Sequence, residues 1–160
     1  MSNKTVVAAF FGIPASGKTT LVDQLVQDMR KDNVENCRQP LWYPCTIRYD
    51  DIMSVNEQVQ MSMCSGLMKS VRQELLSGVE ELIAWVLGRP HREESRFWQS
   101  LTRSITRPAE PGERPVFLVD DNLYYRSMRH EWFSIAQKSV CSVSCGKGNR
   151  KECCAPLSCA

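Results

Sequence analysis

The 160-residue sequence predicts an α/β fold, a parallel sheet with flanking helices, on three observations. Val6-Val7-Ala8-Ala9-Phe10-Phe11 is a short, almost wholly apolar run of the kind found in parallel strands buried on both faces. Gly12-Ile13-Pro14-Ala15-Ser16-Gly17-Lys18-Thr19 follows it at once and fits GxxxxGK[ST], the loop that cradles nucleotide phosphates. A second apolar run, Val116-Phe117-Leu118-Val119, ends in Asp120-Asp121, and open α/β sheets place their sites at the carboxyl ends of strands.

The loop gives each letter a task. Gly12 and Gly17 let the backbone turn and aim amide N–H groups at phosphate oxygens. The helix that follows adds the partial positive charge of its N-terminus. Lys18 is placed to reach the β- and γ-phosphates and the Thr19 hydroxyl to coordinate Mg²⁺, so the candidate nucleotide-binding residues run from Gly12 through Ile13, Pro14, Ala15, Ser16, Gly17, Lys18 and Thr19 to Thr20. The same letters can form a turn that binds nothing, but the flanking strand and helix favour a P-loop. Leu21, Val22, Leu25, Val26 and Met29 supply the apolar stripe of that helix.

Further along, Thr46-Ile47-Arg48-Tyr49 predicts a second strand ending at Asp50-Asp51, with Pro40 and Pro44 bracketing its approach. From Gly66 to Gly88, Leu67, Met68, Val71, Leu75, Leu76, Val79, Leu82, Ile83, Val86 and Leu87 form one helical stripe, stopped by Gly88 and Pro90. A further helix is expected over 93–105, burying Phe97, Trp98, Leu101 and Ile105, and 108–115 is a loop by composition. The strand before Asp120 is positioned to bring a carboxylate beside a magnesium ion held by Thr19; either aspartate could instead cap the next helix. That helix is expected over 124–138 with Met128, Trp132, Phe133 and Ala136 inward.

Twenty basic against 18 acidic residues, a net charge of +2, do not announce a nucleic-acid binder, and no DNA contact is expected. No run approaches the roughly 20 apolar residues that span a bilayer, so the expectation is a cytoplasmic protein with no membrane partner. Of eight cysteines, Cys37, Cys45 and Cys64 are scattered and read as free thiols, while Cys141, Cys145, Cys153, Cys154 and Cys159 crowd the last twenty residues. C-x₃-C at Cys141 and Cys145 is followed by the adjacent Cys153-Cys154, which disfavours a zinc site, and a disulfide cluster needs an oxidising compartment. The expected organisation is a P-loop domain over 1–138 and a divergent, disordered tail over 139–160, whose Ser, Gly, Cys and Lys lack hydrophobic periodicity, as from an alternative or premature end.

GIPASGKTT at 12–20, YDDIM at 49–53, RQELL at 72–76 and VFLVDDNLYYRSMR at 116–129 together resemble the eukaryotic L-seryl-tRNA(Sec) kinase family, over residues 5 to 138. The resemblance implies a P-loop kinase that uses ATP and Mg²⁺ to phosphorylate the serine of seryl-tRNA(Sec) for selenocysteine synthesis. Lys18 and Thr19 match its phosphate and magnesium positions, and Asp50 matches the acidic residue that engages the substrate hydroxyl, so Asp50 and Lys18 are the catalytic candidates. Some members carry an arginine three residues after that aspartate; here the position is Met53. Elongator-associated P-loop proteins, regulatory ATPases of tRNA modification, share a similar core and are the alternative, with an inactive nucleotide binder as a third reading. The later strands, the arginine-bearing lid and the tRNA-gripping domain of the family are not recognisable after Lys138. The expectation is therefore an incomplete sheet with its first strand at an edge, marginal stability, and ATP binding at most from these 160 residues.

Overall fold

The computed structural model describes residues 5–13, 15–36, 41–63, 66–123 and 125–144. Three parallel strands, β1 (Val6–Phe10), β2 (Leu41–Arg48) and β3 (Glu113–Asp120), lie in the order β1-β3-β2. Helix α1 (Lys18–Asn36) covers one face. The other carries α4 (Leu67–Val86), the short α5 (Trp98–Leu101) and α6 (Arg126–Ser144), while α2 (Tyr49–Ile52) and α3 (Val55–Ser62) follow the end of β2. The architecture is thus the expected α/β sheet flanked by helices.

Strand parity explains the two cores. Val116 and Leu118 of β3 pack with Val22 of α1, whereas Phe117 and Val119 face Val79, Leu82, Leu101 and Trp132. β3 is the central strand, and Val116 to Val119 are buried without a break. β1 has the same apolar composition but sits at an edge, and Val6 is 42% exposed. The double-sided burial its composition predicts is therefore not realised, because burial of a strand depends on having a neighbour on each side.

β2 is longer than its predicted 46–49 and includes Pro44. Trp42 directs its N–H and C=O to the Asn33 side chain, and Thr46 directs its C=O to Ser104 Oγ, all on the side away from β3. Pro44 shares their parity. Its missing N–H falls where the sheet needs no donor, and this is how a proline fits inside an edge strand. Tyr49, read as strand, instead opens α2, so Asp50 lies on a helical turn just past the strand.

The helix expected over 93–105 shrinks to the single turn of α5, although Phe97, Leu101 and Ile105 are buried as expected. Polar groups intercept the backbone before it: Glu81 accepts from the Arg92 N–H and Ser95 Oγ from the Phe97 N–H at 3.2 Å. α6 begins two residues later than predicted and runs on past Lys138 to Ser144. Ile135 and Ser139 join Trp132 on its inner face, and Phe133, predicted inward, is 57% exposed because it lies one helical step off that face. Lys138 pairs with Glu80 at 2.6 Å, and Arg89 donates to the Ser139 carbonyl at 3.3 Å, so the helix is docked where the tail was expected to start. In α1, Leu21 of the predicted stripe is half exposed, while Val22 is fully buried. Cys45 is a free, buried thiol whose desolvation pushes its pKa up to about 12, which makes it inert as a nucleophile. Cys37, Cys64 and residues 145–160, with four of the five tail cysteines, lie outside the described residues.

Candidate functional site

The carboxyl ends of β1, β2 and β3 converge on one cavity of about 120 Å³, lined by Ala15, Lys18, Thr19, Tyr49, Asp50, Asp120, Asp121 and Asn122. Three separated stretches of sequence thus supply it, and Lys18, Thr19, Asp50 and Asp120 meet there as predicted. A larger hollow of about 380 Å³ between α3, α4 and α5 includes none of the predicted site residues.

The glycine loop is built on backbone that side chains rarely adopt. Gly17 has φ +84°, and a Cβ on Gly12 would stand 3.3 Å from Ser16 Oγ and against the Lys18 side chain. Ala15 takes φ +60°, a left-handed conformation that costs a non-glycine residue about 1 kcal/mol. Such strain persists where surrounding structure enforces it, and it gathers at ligand-binding loops. The first helical hydrogen bond, Leu21 N–H to Gly17 C=O at 3.0 Å, leaves the preceding amides at the N-terminus of α1 without an intrahelical partner. Pro14 lies outside the described residues, and Ile13 and Thr20 are exposed on the loop and the first turn.

Lys18 folds back on the loop: Nζ donates to Ile13 O at 2.9 Å and Gly12 O at 3.3 Å. Thr19 Oγ1 donates to Asp120 Oδ2 at 2.6 Å across 101 residues of sequence. A hydroxyl and a carboxylate are hard oxygen donors, the set that suits Mg²⁺ when phosphate oxygens and water complete its shell. Among the described residues no three His, Cys, Asp or Glu gather into a protein-only metal cage.

Asp50 accepts from Gln58 Nε2 at 3.3 Å, and that amide also donates to Met53 O at 2.9 Å. Asp51 is exposed and lines a different, smaller hollow. Beside Asp50, burial raises the Tyr49 phenol pKa, with Asp121 and Asp50 adding to the rise and Arg72 opposing it, so the hydroxyl stays protonated.

Sequence reasoning left open which member of the aspartate pair meets the loop. Consecutive strand residues point to opposite sides, and here Asp120 meets Thr19 while Asp121 turns into the protein. Burial raises the Asp121 pKa, against the opposing effect of Arg72, whose Nη1 lies 3.2 Å from Asp121 Oδ2. Arg72 Nε also pairs with Glu131 at 2.9 Å. Neither aspartate caps α6, which starts at Arg126. The Arg72 pairing is the part of the site that sequence reasoning missed, although Arg72 opens the RQELL tract.

Over 79% of its length the chain is 29% identical to the L-seryl-tRNA(Sec) kinase of Mus musculus, and over 79% it is 27% identical to that of Homo sapiens. It spans 41% and 42% of those relatives, less than half of their length. The family likeness carried by the glycine loop, YDDIM, RQELL and VFLVDDNLYYRSMR is thus borne out along most of the chain. No family model matches the chain, and no solved structure matches it.

Proposed function

We propose that this protein is a P-loop, ATP-dependent phosphotransferase of the cytoplasm whose acceptor is the serine hydroxyl of seryl-tRNA(Sec), the substrate in its relatives' name. The observation that carries the reading is the meeting of Lys18, Thr19, Asp50 and Asp120 on one cavity, with Thr19 already hydrogen-bonded to Asp120. The loop amides and Lys18 bind the ATP phosphates, Lys18 exchanging its two loop carbonyls for phosphate oxygens. Thr19 and Asp120 hold Mg²⁺, which when bound neutralises charge on the phosphates. Asp50 orients the serine hydroxyl and takes its proton as that oxygen attacks the γ-phosphorus and the bond to ADP breaks. Gln58 keeps the Asp50 carboxylate in place through the 3.3 Å hydrogen bond.

Transfer of label from [γ-³²P]ATP tests the reading with seryl-tRNA(Sec), uncharged tRNA and no RNA. Label on the aminoacyl end supports it. RNA-stimulated hydrolysis without transfer would favour a regulatory ATPase of tRNA modification, and binding with neither an inactive nucleotide binder. Lys18→Ala removes a charged hydrogen-bond donor worth about 3 kcal/mol and should weaken ATP binding by roughly 100-fold in calorimetry. Unchanged affinity would refute the loop assignment.

A further inference from the structure

The buried grip of Arg72 on Asp121 stands at the edge of the site: Asp121 lines the cavity, and Arg72 holds it from behind without lining the cavity itself. The Arg72 side chain is 14% exposed and that of Asp121 8%, and the guanidinium joins three elements: its own α4, the end of β3 through Asp121, and α6 through Glu131. Among the described residues Arg72 Nη2 is buried with no hydrogen-bond partner. A buried donor left unmet costs about 1–3 kcal/mol, and buried ion pairs often contribute little net stability, so packing alone does not account for this arrangement. Asp121 is one peptide from Asp120. The turn after it is held from within, with Leu123 N–H on Asp121 O at 3.1 Å and Arg129 Nη1 on Leu123 O at 3.0 Å.

We propose that Arg72 is a positioning residue: by fixing Asp121 at the end of β3, it holds the neighbouring Asp120 carboxylate on Thr19 in the orientation that receives the nucleotide-bound cation. The inference rests on the phosphotransferase reading for the identity of the cation, and on the Arg72–Asp121 and Arg72–Glu131 pairs for the grip itself. Arg72 acts through Asp120 and contributes little to the loop's own hold on phosphate. Partners that orient a metal ligand from behind typically account for 10–100-fold in metal affinity.

The test uses the full chain and two independent readouts. The first is ATP affinity with Mg²⁺ and with EDTA for wild type, Arg72→Met, Arg72→Lys, Asp120→Asn and Arg72→Met/Asp120→Asn. Arg72→Met should cut the gain in affinity that Mg²⁺ brings by about tenfold and leave the EDTA affinity within about twofold. Arg72→Lys, which keeps the charge but loses the fork, should fall between, and it serves if Arg72→Met does not fold. The double variant should be no worse than Asp120→Asn alone, because the two residues act in series. Additive losses, or an equal fall with EDTA, would overturn the proposal and leave Arg72 a structural contact.

The second readout needs no nucleotide. Amide hydrogen exchange at Leu123, whose N–H is held by the Asp121 carbonyl, should quicken in Arg72→Met while Val119, deep in β3, keeps its protection. If wild type fails to bind ATP, the phosphotransferase reading falls, and the exchange result still decides the grip: unchanged protection at Leu123 would overturn it.

Discussion

The two edges of the sheet, the wholly apolar β1 and the mixed β2, are treated in opposite ways. At β2 the outward backbone groups are met one by one. Asn33 accepts from the Trp42 N–H and donates to its C=O, both at 2.7 Å, doing with one amide what a neighbouring strand would do. Ser104 meets the Thr46 carbonyl, Pro44 has no N–H to leave unmet, and Tyr43 donates to Arg107 O at 2.7 Å beneath the Arg107 guanidinium. At β1, among the described residues, no strand pairs on the outer side, and Val6 and Phe11 are 42% and 61% exposed, with the Arg129 guanidinium 5.2 Å over the Phe11 ring. An edge can thus be closed by side chains chosen for the purpose. Where it is not, apolar surface and free backbone groups remain, the combination that invites pairing with other chains.

Breaking the closed edge should have the largest effect. Asn33→Leu keeps the side-chain volume but strips the Trp42 backbone of both partners, and should lower the unfolding free energy by about 1–2 kcal/mol in a urea titration. An unmoved midpoint would mean that water replaces the amide at no cost and that the edge is not closed in the sense argued. A smaller effect should come from acid. Arg107 binds Glu113 through both guanidinium nitrogens at 2.8 Å, tying the segment that covers β2 to the start of β3, and its hydrogen bonds hold the Glu113 carboxyl below the usual range. A carboxylate with a depressed folded pKa contributes stability above its unfolded value, about 4.3, and loses it as pH falls through the folded value. The urea midpoint should therefore drop more steeply below that pH in wild type than in Glu113→Gln, and parallel pH profiles would remove the pair from the account. The smallest effect on stability belongs to the open edge. Val6→Lys should shift the unfolding free energy by less than about 0.5 kcal/mol yet reduce concentration-dependent self-association in sedimentation velocity, since a lysine blunts an edge. Undiminished association would mean that another surface carries it.

The site is legible in sequence to the extent that its chemistry is local. Gly12 to Thr20 announces itself because strand, loop and helix succeed one another within 30 residues, and each letter has a task that does not depend on distant contacts. Asp50 and the Asp120-Asp121 pair could be placed at strand ends, though β2 ended one residue early and left Asp50 on a helical turn. The division of labour within the aspartate pair could not be read, because it depends on which side of β3 faces α1. Arg72 was hidden for a related reason: on a helix whose apolar stripe dominates the pattern, one arginine looks like part of the solvated face until α6 and the end of β3 are packed around it.

By itself the sequence determined the α/β class, the glycine loop, the long α4, and the apolar strand that carries Asp120, because hydrophobic periodicity and glycine chemistry act over a few residues. It also determined the likeness to seryl-tRNA(Sec) kinases, through short tracts of high specificity. The edge position of β1 was expected from the sequence and is met, but only the tertiary structure decided that β3 would be the buried centre, that α5 would be one turn, and that Asp120 would face Thr19 while Asp121 turned to Arg72. Those outcomes depend on which elements become neighbours, and neighbours distant in sequence decide whether a given apolar or charged side chain is buried, paired or left in water.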